Sequence, residues 1–159
     1  MQLDDIDRQI IHATQAGLPL VAEPYQAIAE QLGLTAEDVM QRMAKMQQQG
    51  VIRRIAAVPN HYKIGYHYNG MTVWDVEEEH VHRLGQRVAE LPFVSHCYQR
   101  PRHLPDWPYN LFAMVHAKTE QDAERQIAVI AELLGEDVRR QAVLYSTKIL
   151  KKTGLRIAG

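Results

Sequence analysis

The sequence predicts an α+β protein with an N-terminal winged helix-turn-helix domain at residues 1–60 and a ferredoxin-like βαββαβ domain at residues 61–159. Two observations lead to this prediction. The first fifty residues carry apolar positions at helical spacing between glycines and prolines, whereas from Tyr66 onward short strands alternate with amphipathic helices. With 159 residues, 46% of them hydrophobic, the chain is long enough to build two small cores.

Three short helices are predicted in the N-terminal part. Their apolar positions are Ile6, Ile10 and Ala13 in the first helix, Ile28 and Leu32 in the second, and Val39, Met43 and Met46 in the third. Glycines end them, namely Gly17, Gly33 and Gly50. The second helix begins at Pro24 or Tyr25, and Thr35 with Asp38 has the spacing of a capping box that opens the third. The segment VIRRIAAV (51–58) then predicts a strand that forms the wing.

The C-terminal part alternates strands and helices in the order β-α-β-β-α-β. The predicted strands are 67–76, 93–100, 108–117 and 141–149, and the predicted helices are 77–91 and 119–134. This order is typical of a four-stranded antiparallel sheet with both helices on one face. The other sheet face must then be covered by a second subunit, by the winged domain or by a ligand.

Composition excludes several classes of protein. The net charge of -1 and the pI near 6.7 give no overall attraction to nucleic acid or to an anionic membrane. The single cysteine, Cys97, excludes an internal disulfide. No apolar run approaches the length of a membrane span, and the N-terminus MQLDDIDRQI is too acidic for a signal peptide. A cytoplasmic protein without a membrane partner is therefore expected.

The helix-turn-helix pattern indicates DNA binding, but its third helix lacks the positive charges that binding to DNA phosphates requires. In TAEDVMQRMAKMQQQG (35–50) only Arg42 and Lys45 are basic, and Glu37 and Asp38 lie near the start, where base contacts are usually made. Phosphate contacts dominate DNA affinity and need several basic residues. DNA binding is not expected, and the domain is interpreted as a structural or dimerisation module.

The most reactive stretch of the chain is VSHCYQR (94–100). As a strand, it alternates its side chains between two faces. One face would carry Val94, His96, Tyr98 and Arg100, and the other Ser95, Cys97 and Gln99. A histidine that titrates near neutral pH, a phenol and a guanidinium in one row suit a flat ligand with several carboxylates. The alternative is a half-buried edge strand with ordinary polar residues.

Further candidates lie in the loops on either side. His61 and Lys63 are in the shaped loop VPNHYKIGY, where a histidine is functional or simply a surface turn residue. Arg102 can bind a carboxylate beside Arg100, while Trp107 and Tyr109 form either a wall for a flat ligand or part of a core. His116 ends a strand and is interpreted as structural. The sequence has no zinc-ligand spacing, dinucleotide fingerprint, P-loop or nucleophile elbow.

Five strings together resemble a known family. They are RRIAAVPNHYKIGY (53–66), NGMTVWDV (69–76), FVSHCYQRP (93–101), WPYNLFAMVH (107–116) and VLYSTKILKKTGLR (143–156). With the N-terminal LDDIDRQII they span nearly the whole chain. The order of elements resembles the Lrp/AsnC family, whose effector domain is ferredoxin-like, and the strings resemble the sirohaem decarboxylases within it. The chain looks most like the subunits that denitrifying bacteria use in haem d1 biosynthesis.

The resemblance implies a reaction and a site. The family removes CO2 from the C12 and C18 acetate groups of sirohaem and gives 12,18-didecarboxysirohaem. Its two motif histidines correspond to His61 and His96, which would donate or orient protons. The substrate would be held by Tyr98, Arg100, Arg102, Lys63, Trp107 and Tyr109.

The resemblance also implies partners and leaves alternatives open. No cofactor is expected, because decarboxylation with protonation is redox-neutral and the iron is carried by the sirohaem substrate. Related decarboxylase subunits would assemble with the chain as a homo- or hetero-oligomer. One alternative is a transcription regulator of the Lrp/AsnC type that binds DNA and a small-molecule effector. Another is a tetrapyrrole-binding subunit that stabilises a partner without catalysis.

Overall fold

The computed structural model of the chain describes residues 2–151 and 155–157. Two sets of residues named above lie outside the described residues. They are 152–154, within the string at 143–156, and 158–159, at the end of the predicted C-terminal domain. The chain divides into two compact units. The N-terminal unit comprises Met1–Val58 together with Lys151–Gly159, and the C-terminal unit comprises Pro59–Leu150. The domain boundary predicted from the sequence places residues 61–159 in the C-terminal domain. Among the described residues, no helix has both the length and the apolar character needed to cross a bilayer.

The described residues of the N-terminal unit form the three predicted helices, α1 (Asp5–Thr14), α2 (Pro24–Leu32) and α3 (Ala36–Gln48). Gly33 ends α2 with φ of 69°, a left-handed conformation that glycine adopts without steric cost. The Thr35 hydroxyl caps α3 by accepting from the Asp38 amide. The buried core comprises Ile10, Ile28, Ala29, Val39, Met43 and Met46.

The predicted wing strand is wrong. Residues 51–58, all within the described part of the chain, form no strand. Ile52 packs against the helical core, but Ile55 and Val58 are 46% and 79% exposed. β-branched residues favour a strand only where a neighbouring strand pairs with them, and no strand of the described residues pairs with this segment. The helix-turn-helix is therefore present without the wing that its sequence suggested.

A charge network ties α1 to α3. The Arg42 guanidinium contacts the Asp4 carboxylate at 2.7 Å and the Asp7 carboxylate at 2.8 Å. Asp4 and Asp7 also form a capping box at the start of α1, in which each side chain accepts from the other's backbone amide. Arg42, one of two basic residues of the supposed recognition helix, is thus engaged within the domain. This contact supports the interpretation that α3 is not a DNA-reading helix.

Replacing Asp7 with alanine is expected to destabilise the N-terminal unit by about 1–2 kcal/mol, because it removes one of the two hydrogen bonds of the capping box and the buried partner of Arg42. The Asp7 side chain is only 4% exposed. Urea unfolding followed by circular dichroism measures the change. Asp5→Ala is the matched control, since Asp5 lies exposed in the same helical turn. Equal midpoints for the two variants would contradict this account of the network.

The C-terminal unit has the predicted ferredoxin-like fold. Its elements are β1 (Tyr68–Val76), α4 (Val81–Ala89), β2 (Val94–Gln99), β3 (Leu111–Ala117), α5 (Glu120–Leu134) and β4 (Val138–Tyr145). The sheet order is β2-β3-β1-β4, and all neighbouring strands are antiparallel. The last strand begins at Val138 and ends at Tyr145, whereas the sequence predicted 141–149. It begins earlier because Val138 pairs with Val76 across a β-bulge.

The two faces of this sheet differ. Both helices pack on one face, where the core comprises Trp74, Val76, Val81, Leu84, Val88, Leu111, Ala113, Val115, Ile130 and Leu134. Strand alternation and register assign the opposite side chains to what we call the open face. It carries Asn69, Met71, Val73, Asp75, His96, Tyr98, Phe112, Met114, His116, Arg140, Ala142 and Leu144. Polar and apolar side chains therefore share one sheet surface that the helices of this unit leave uncovered.

Candidate active site

A β-bulge in β2 sets which side chains reach the open face. The register with β3 shifts between Val94 and His96, so that Val94 pairs with Val115 and His96 with Met114. Val94 consequently packs against the helix-side core, and its predicted position in the same row as His96 is wrong. His96 and Tyr98 do share the open face. Strict alternation could not predict this, because the bulge adds one residue at Ser95.

Cys97 lies on the opposite side of the strand from His96. Its thiol donates to the Gly85 carbonyl at 3.6 Å and contacts the helix-side core. Burial raises the pKa of the Cys97 thiol above its ordinary value, which disfavours the thiolate. The structure therefore separates the cysteine from the histidine next to it in sequence.

Four side chains at one end of the open face form what we call the histidine network. His116 Nδ1 lies 2.6 Å from Asn69 Oδ1, and His116 Nε2 lies 2.6 Å from Ser95 Oγ. The same Ser95 hydroxyl lies 3.0 Å from His96 Nδ1. Ser95 thus connects a histidine of β3 with a histidine of β2. Of the two ring nitrogens of His96, Nδ1 faces Ser95 and Nε2 remains for a ligand.

His61 approaches the same network from a turn before β1. The turn is built by the Asn60 side chain, which accepts from the Tyr62 amide, and by Gly65 with φ of 95°. The Tyr62 hydroxyl contacts Ser146 at the end of β4 and anchors the turn. The ring centroids of His61 and His116 are 5.7 Å apart. His61, His116 and His96 therefore lie at one end of the open face, with His116 in contact with His61 and connected to His96 through Ser95. Lys63 is exposed in the turn that carries His61.

The other end of the open face is cationic and aromatic. The Arg100 guanidinium lies over the rings of Tyr98 and Phe112, with its Cζ 5.5 and 5.3 Å from their centroids. Trp107 stacks on Phe112 at 6.3 Å between centroids and meets Tyr109 edge-on at 5.1 Å. Phe112 and His116 are four residues apart on β3, which is about 13 Å along an extended strand. A flat ligand can therefore contact the arginine at one end and the histidines at the other.

Arg102 is engaged by acceptors of its own chain. Its guanidinium donates to the Asp75 carboxylate from Nη2 at 2.8 Å and from Nε at 3.1 Å, and to the Pro108 carbonyl at 2.9 Å. It also contacts Glu78 and the Val76 carbonyl. That Arg102 binds a substrate carboxylate stays a prediction, and a substrate would have to compete with these acceptors of the chain. Two arginines that look equivalent in the string QRPR thus have different surroundings.

Two clefts border the histidine network. They share Tyr66, Phe93, His116 and Gln126 and have volumes of about 320 and 380 Å³. These values lie at the lower end of the roughly 300–1,000 Å³ that ligand pockets occupy. Neither cleft encloses a tetrapyrrole with its acid side chains. A ligand of that size could contact the histidine network only by extending beyond these two clefts.

Sequence reasoning missed the centre of this network. His116 was interpreted as structural, and Ser95 and Asn69 were not singled out. Alternation along β3 gives a signal for His116, since it shares a face with Phe112 and Met114. The pairing of His116 with Asn69 depends on strand register, which one sequence does not reveal. Residues 2–151 and 155–157 contain no group of three or more His, Cys, Asp or Glu side chains placed to hold a metal ion.

Family comparisons agree with this architecture. Residues 63–151 match the family model described as the AsnC-like ligand binding domain, and residues 7–53 match that of the Siroheme decarboxylase NirDL-like HTH domain. The chain is 58% identical over 151 residues to the Siroheme decarboxylase NirH subunit of Pseudomonas aeruginosa, which covers 95% of this chain and 88% of that protein. It is 40% identical over 155 residues to the Siroheme decarboxylase beta subunit of Methanosarcina barkeri, with 98% and 100% covered.

Solved structures show the same fold. The siroheme decarboxylase NirDL in co-complex with an iron-uroporphyrin III analogue superposes with a TM-score of 0.64 at 31% identity, covering 98% of this chain and 48% of that one. Escherichia coli AsnC superposes with a TM-score of 0.75 at 18% identity, covering 98% and 99%. The likeness to AsnC concerns the fold alone. The likeness to NirDL extends to a chain about twice as long.

Proposed function

The chain belongs to the sirohaem decarboxylase family of Lrp/AsnC-like proteins, and from this premise we propose that it removes the C12 and C18 acetate carboxylates of sirohaem to give 12,18-didecarboxysirohaem. One observation carries the proposal: His61 and His96 meet His116 at one end of an open sheet face whose other end presents Arg100. Haem d1 biosynthesis is the pathway we propose, because the chain is most similar in sequence to NirH subunits among the relatives described above. A cytoplasmic location is part of the same proposal.

The open face suits a large, flat and acidic macrocycle. Met71 and Met114 are half-buried on this face and offer an apolar floor, and thioether side chains adapt well to a planar ring. Arg100 is exposed and can bind a carboxylate in a bidentate manner while its plane remains stacked on Tyr98 and Phe112. Trp107 and Tyr109 extend the aromatic wall. Lys63 remains a candidate for a second carboxylate near His61.

The reaction needs protons at defined atoms. An acetate group on a pyrrole loses CO2 only if the electron pair of the breaking C–C bond has an acceptor, and protonation of the ring carbon provides one. When CO2 leaves, that electron pair enters the ring, and the exocyclic carbon becomes a methyl group once the added proton is relocated to it. Each decarboxylation therefore consumes one proton and releases one CO2. Histidines positioned as acids supply such protons, and we assign His61 and His96 to this role.

No oxidant enters this balance, and the iron belongs to the substrate. The co-complex of NirDL with an iron-uroporphyrin III analogue supports a family site for iron tetrapyrroles. The two clefts beside the histidine network are too small to enclose the macrocycle, which favours a cover from outside this site. We propose that a related decarboxylase subunit provides this cover. Enclosure also removes water from the reacting carboxylate, which favours its departure as neutral CO2.

The rival function is transcription regulation. It requires basic residues on α3 that are available to phosphates, but Arg42 is paired with Asp4 and Asp7, and Glu37 and Asp38 occupy the first turn. A salt-dependent gel shift with DNA from upstream of its own gene is the result that would favour the regulator. A second rival is a subunit that binds tetrapyrrole without catalysis, and the histidine variants described below distinguish it.

The deciding experiment is anaerobic incubation with sirohaem. The purified chain, alone and with its related subunits, is incubated with sirohaem, and the products are identified by mass spectrometry. We expect a product lighter by two CO2 units, preceded by an intermediate lighter by one. Intact sirohaem in every combination, under conditions where a homologous decarboxylase converts it, would refute the proposed function.

A further inference from the structure

The orientation of Asn69 determines which nitrogen of His116 carries a proton. Asn69 is buried, and its Nδ2 donates to the Tyr66 carbonyl at 2.8 Å. The other amide atom, Oδ1, is an acceptor only and faces His116 Nδ1 at 2.6 Å. His116 therefore donates from Nδ1 to Asn69. In the neutral imidazole, Nε2 is then the acceptor that faces Ser95.

The Ser95 hydroxyl can connect the two histidines in either direction. When His116 is neutral, Ser95 donates to His116 Nε2 and accepts from His96 Nδ1, so that His96 Nε2 carries a lone pair toward the open face. When His116 is protonated, its Nε2 donates to Ser95, and Ser95 donates to His96 Nδ1. His96 then carries its proton on Nε2, on the side where a ligand lies. The charge of His116 thus decides whether His96 presents a donor or an acceptor.

We propose that Ser95 is a proton bridge and His116 the proton source that recharges His96 during decarboxylation. This inference rests on the proposed function and adds two residues to it. His96 Nε2 gives its proton to the substrate carbon, Ser95 Oγ passes its proton to His96 Nδ1, and His116 Nε2 passes its proton to Ser95 Oγ. Three bonds to hydrogen break and three form. The positive charge moves from His116 to the substrate, and both histidines end neutral.

The surroundings permit this transfer. Asn69 is 1% exposed and held by its own hydrogen bonds, so that His116 has a fixed orientation. The carbonyl of His116 also accepts from Gln126 of α5 at 3.0 Å. Among the described residues, the titratable or charged groups that border the network from neighbouring elements include His61, Tyr66, Tyr98, Lys118, Asp122 and Arg125. Solvent reaches the clefts beside His116 and can return a proton after each turnover.

The bridge is testable without substrate by nitrogen-15 NMR of the histidines in the full chain. In the wild type at high pH, we expect His96 to hold its proton on Nδ1. Ser95→Ala removes the bridge, so that His96 should change tautomer. Ser95→Thr retains the hydroxyl and should behave as the wild type. An unchanged His96 tautomer in Ser95→Ala would overturn the proposal.

The kinetic test separates the bridge from a merely structural serine. Ser95→Ala should lower kcat about 10- to 100-fold with KM nearly unchanged, less than the 10²–10⁴-fold attributed to a whole acid group. Ser95→Thr should restore most of the rate, and Gln99→Ala, an exposed substitution on the same strand, should leave it unchanged. A wild type inactive in all assemblies would refute the proposed function, while the NMR result would still decide on the bridge. Full activity of Ser95→Ala would refute the bridge alone.

Discussion

Replacing His96 with alanine is expected to lower the rate of CO2 release about 10²- to 10⁴-fold, the usual contribution of a positioned acid. Binding of sirohaem should survive with a change in Kd of less than about tenfold, or ~1.4 kcal/mol, since Arg100 and the aromatic wall remain. Single-turnover mass analysis measures the rate, and the absorbance of the bound tetrapyrrole measures Kd. A large loss of rate at retained affinity is the result of a group that acts mainly in the transition state.

His103→Ala is the matched control for this variant. His103 lies in the loop beside Trp107, its backbone pairs with that residue, and its side chain is exposed and outside the histidine network. It should retain full activity. His61→Ala should resemble His96→Ala, and the double variant should lose little more than the stronger single one if the two act on the same step. Full activity of the double variant would end the catalytic assignment and leave the non-catalytic tetrapyrrole-binding subunit as the better interpretation.

The helices and the order of strands were predictable because their signals are local. Apolar spacing with a period of 3.6, the Thr35 cap and the glycine that ends α2 lie within a few residues of the structures that they specify. The prediction of a wing strand at 51–58 was wrong because strand pairing is not specified locally. Its residues have strand propensity, but a strand requires a partner elsewhere in the chain, and propensity says nothing about that partner.

The candidate site was predictable in its residue types but not in its connections. Alternation correctly grouped His96 with Tyr98, whereas the bulge at Ser95 moved Val94 to the other side. The role of His116 depends on three strands meeting in one register, with Asn69 opposite it on β1. Such register is a long-range property, so that a sequence pattern can list the histidines without showing that one of them links the others.

The second large expected effect concerns the free energy of unfolding and distinguishes Arg102 from Arg100 in the string QRPR (99–102). Arg102→Met should destabilise the C-terminal unit by about 2–4 kcal/mol, because it leaves the Asp75 carboxylate buried without its partner. The Asp75 and Arg102 side chains are 8% and 19% exposed. Urea unfolding followed by tryptophan fluorescence is the suitable measurement. Both tryptophans of the chain, Trp74 and Trp107, lie in this unit, so that their emission follows its unfolding alone.

Arg100→Met provides the contrast, since Arg100 is exposed and stacked on rings without an anionic partner among the described contacts. The free energy of unfolding of Arg100→Met should differ from that of the wild type by no more than about 0.5 kcal/mol, as for other surface substitutions. Its affinity for sirohaem should fall about tenfold or more, because a charge-assisted contact to a carboxylate contributes roughly 1.5–3 kcal/mol. If Arg102→Met instead kept its unfolding midpoint and lost affinity, Arg102 would bind substrate after exchanging Asp75 for a substrate carboxylate. The two variants together decide which guanidinium faces the macrocycle.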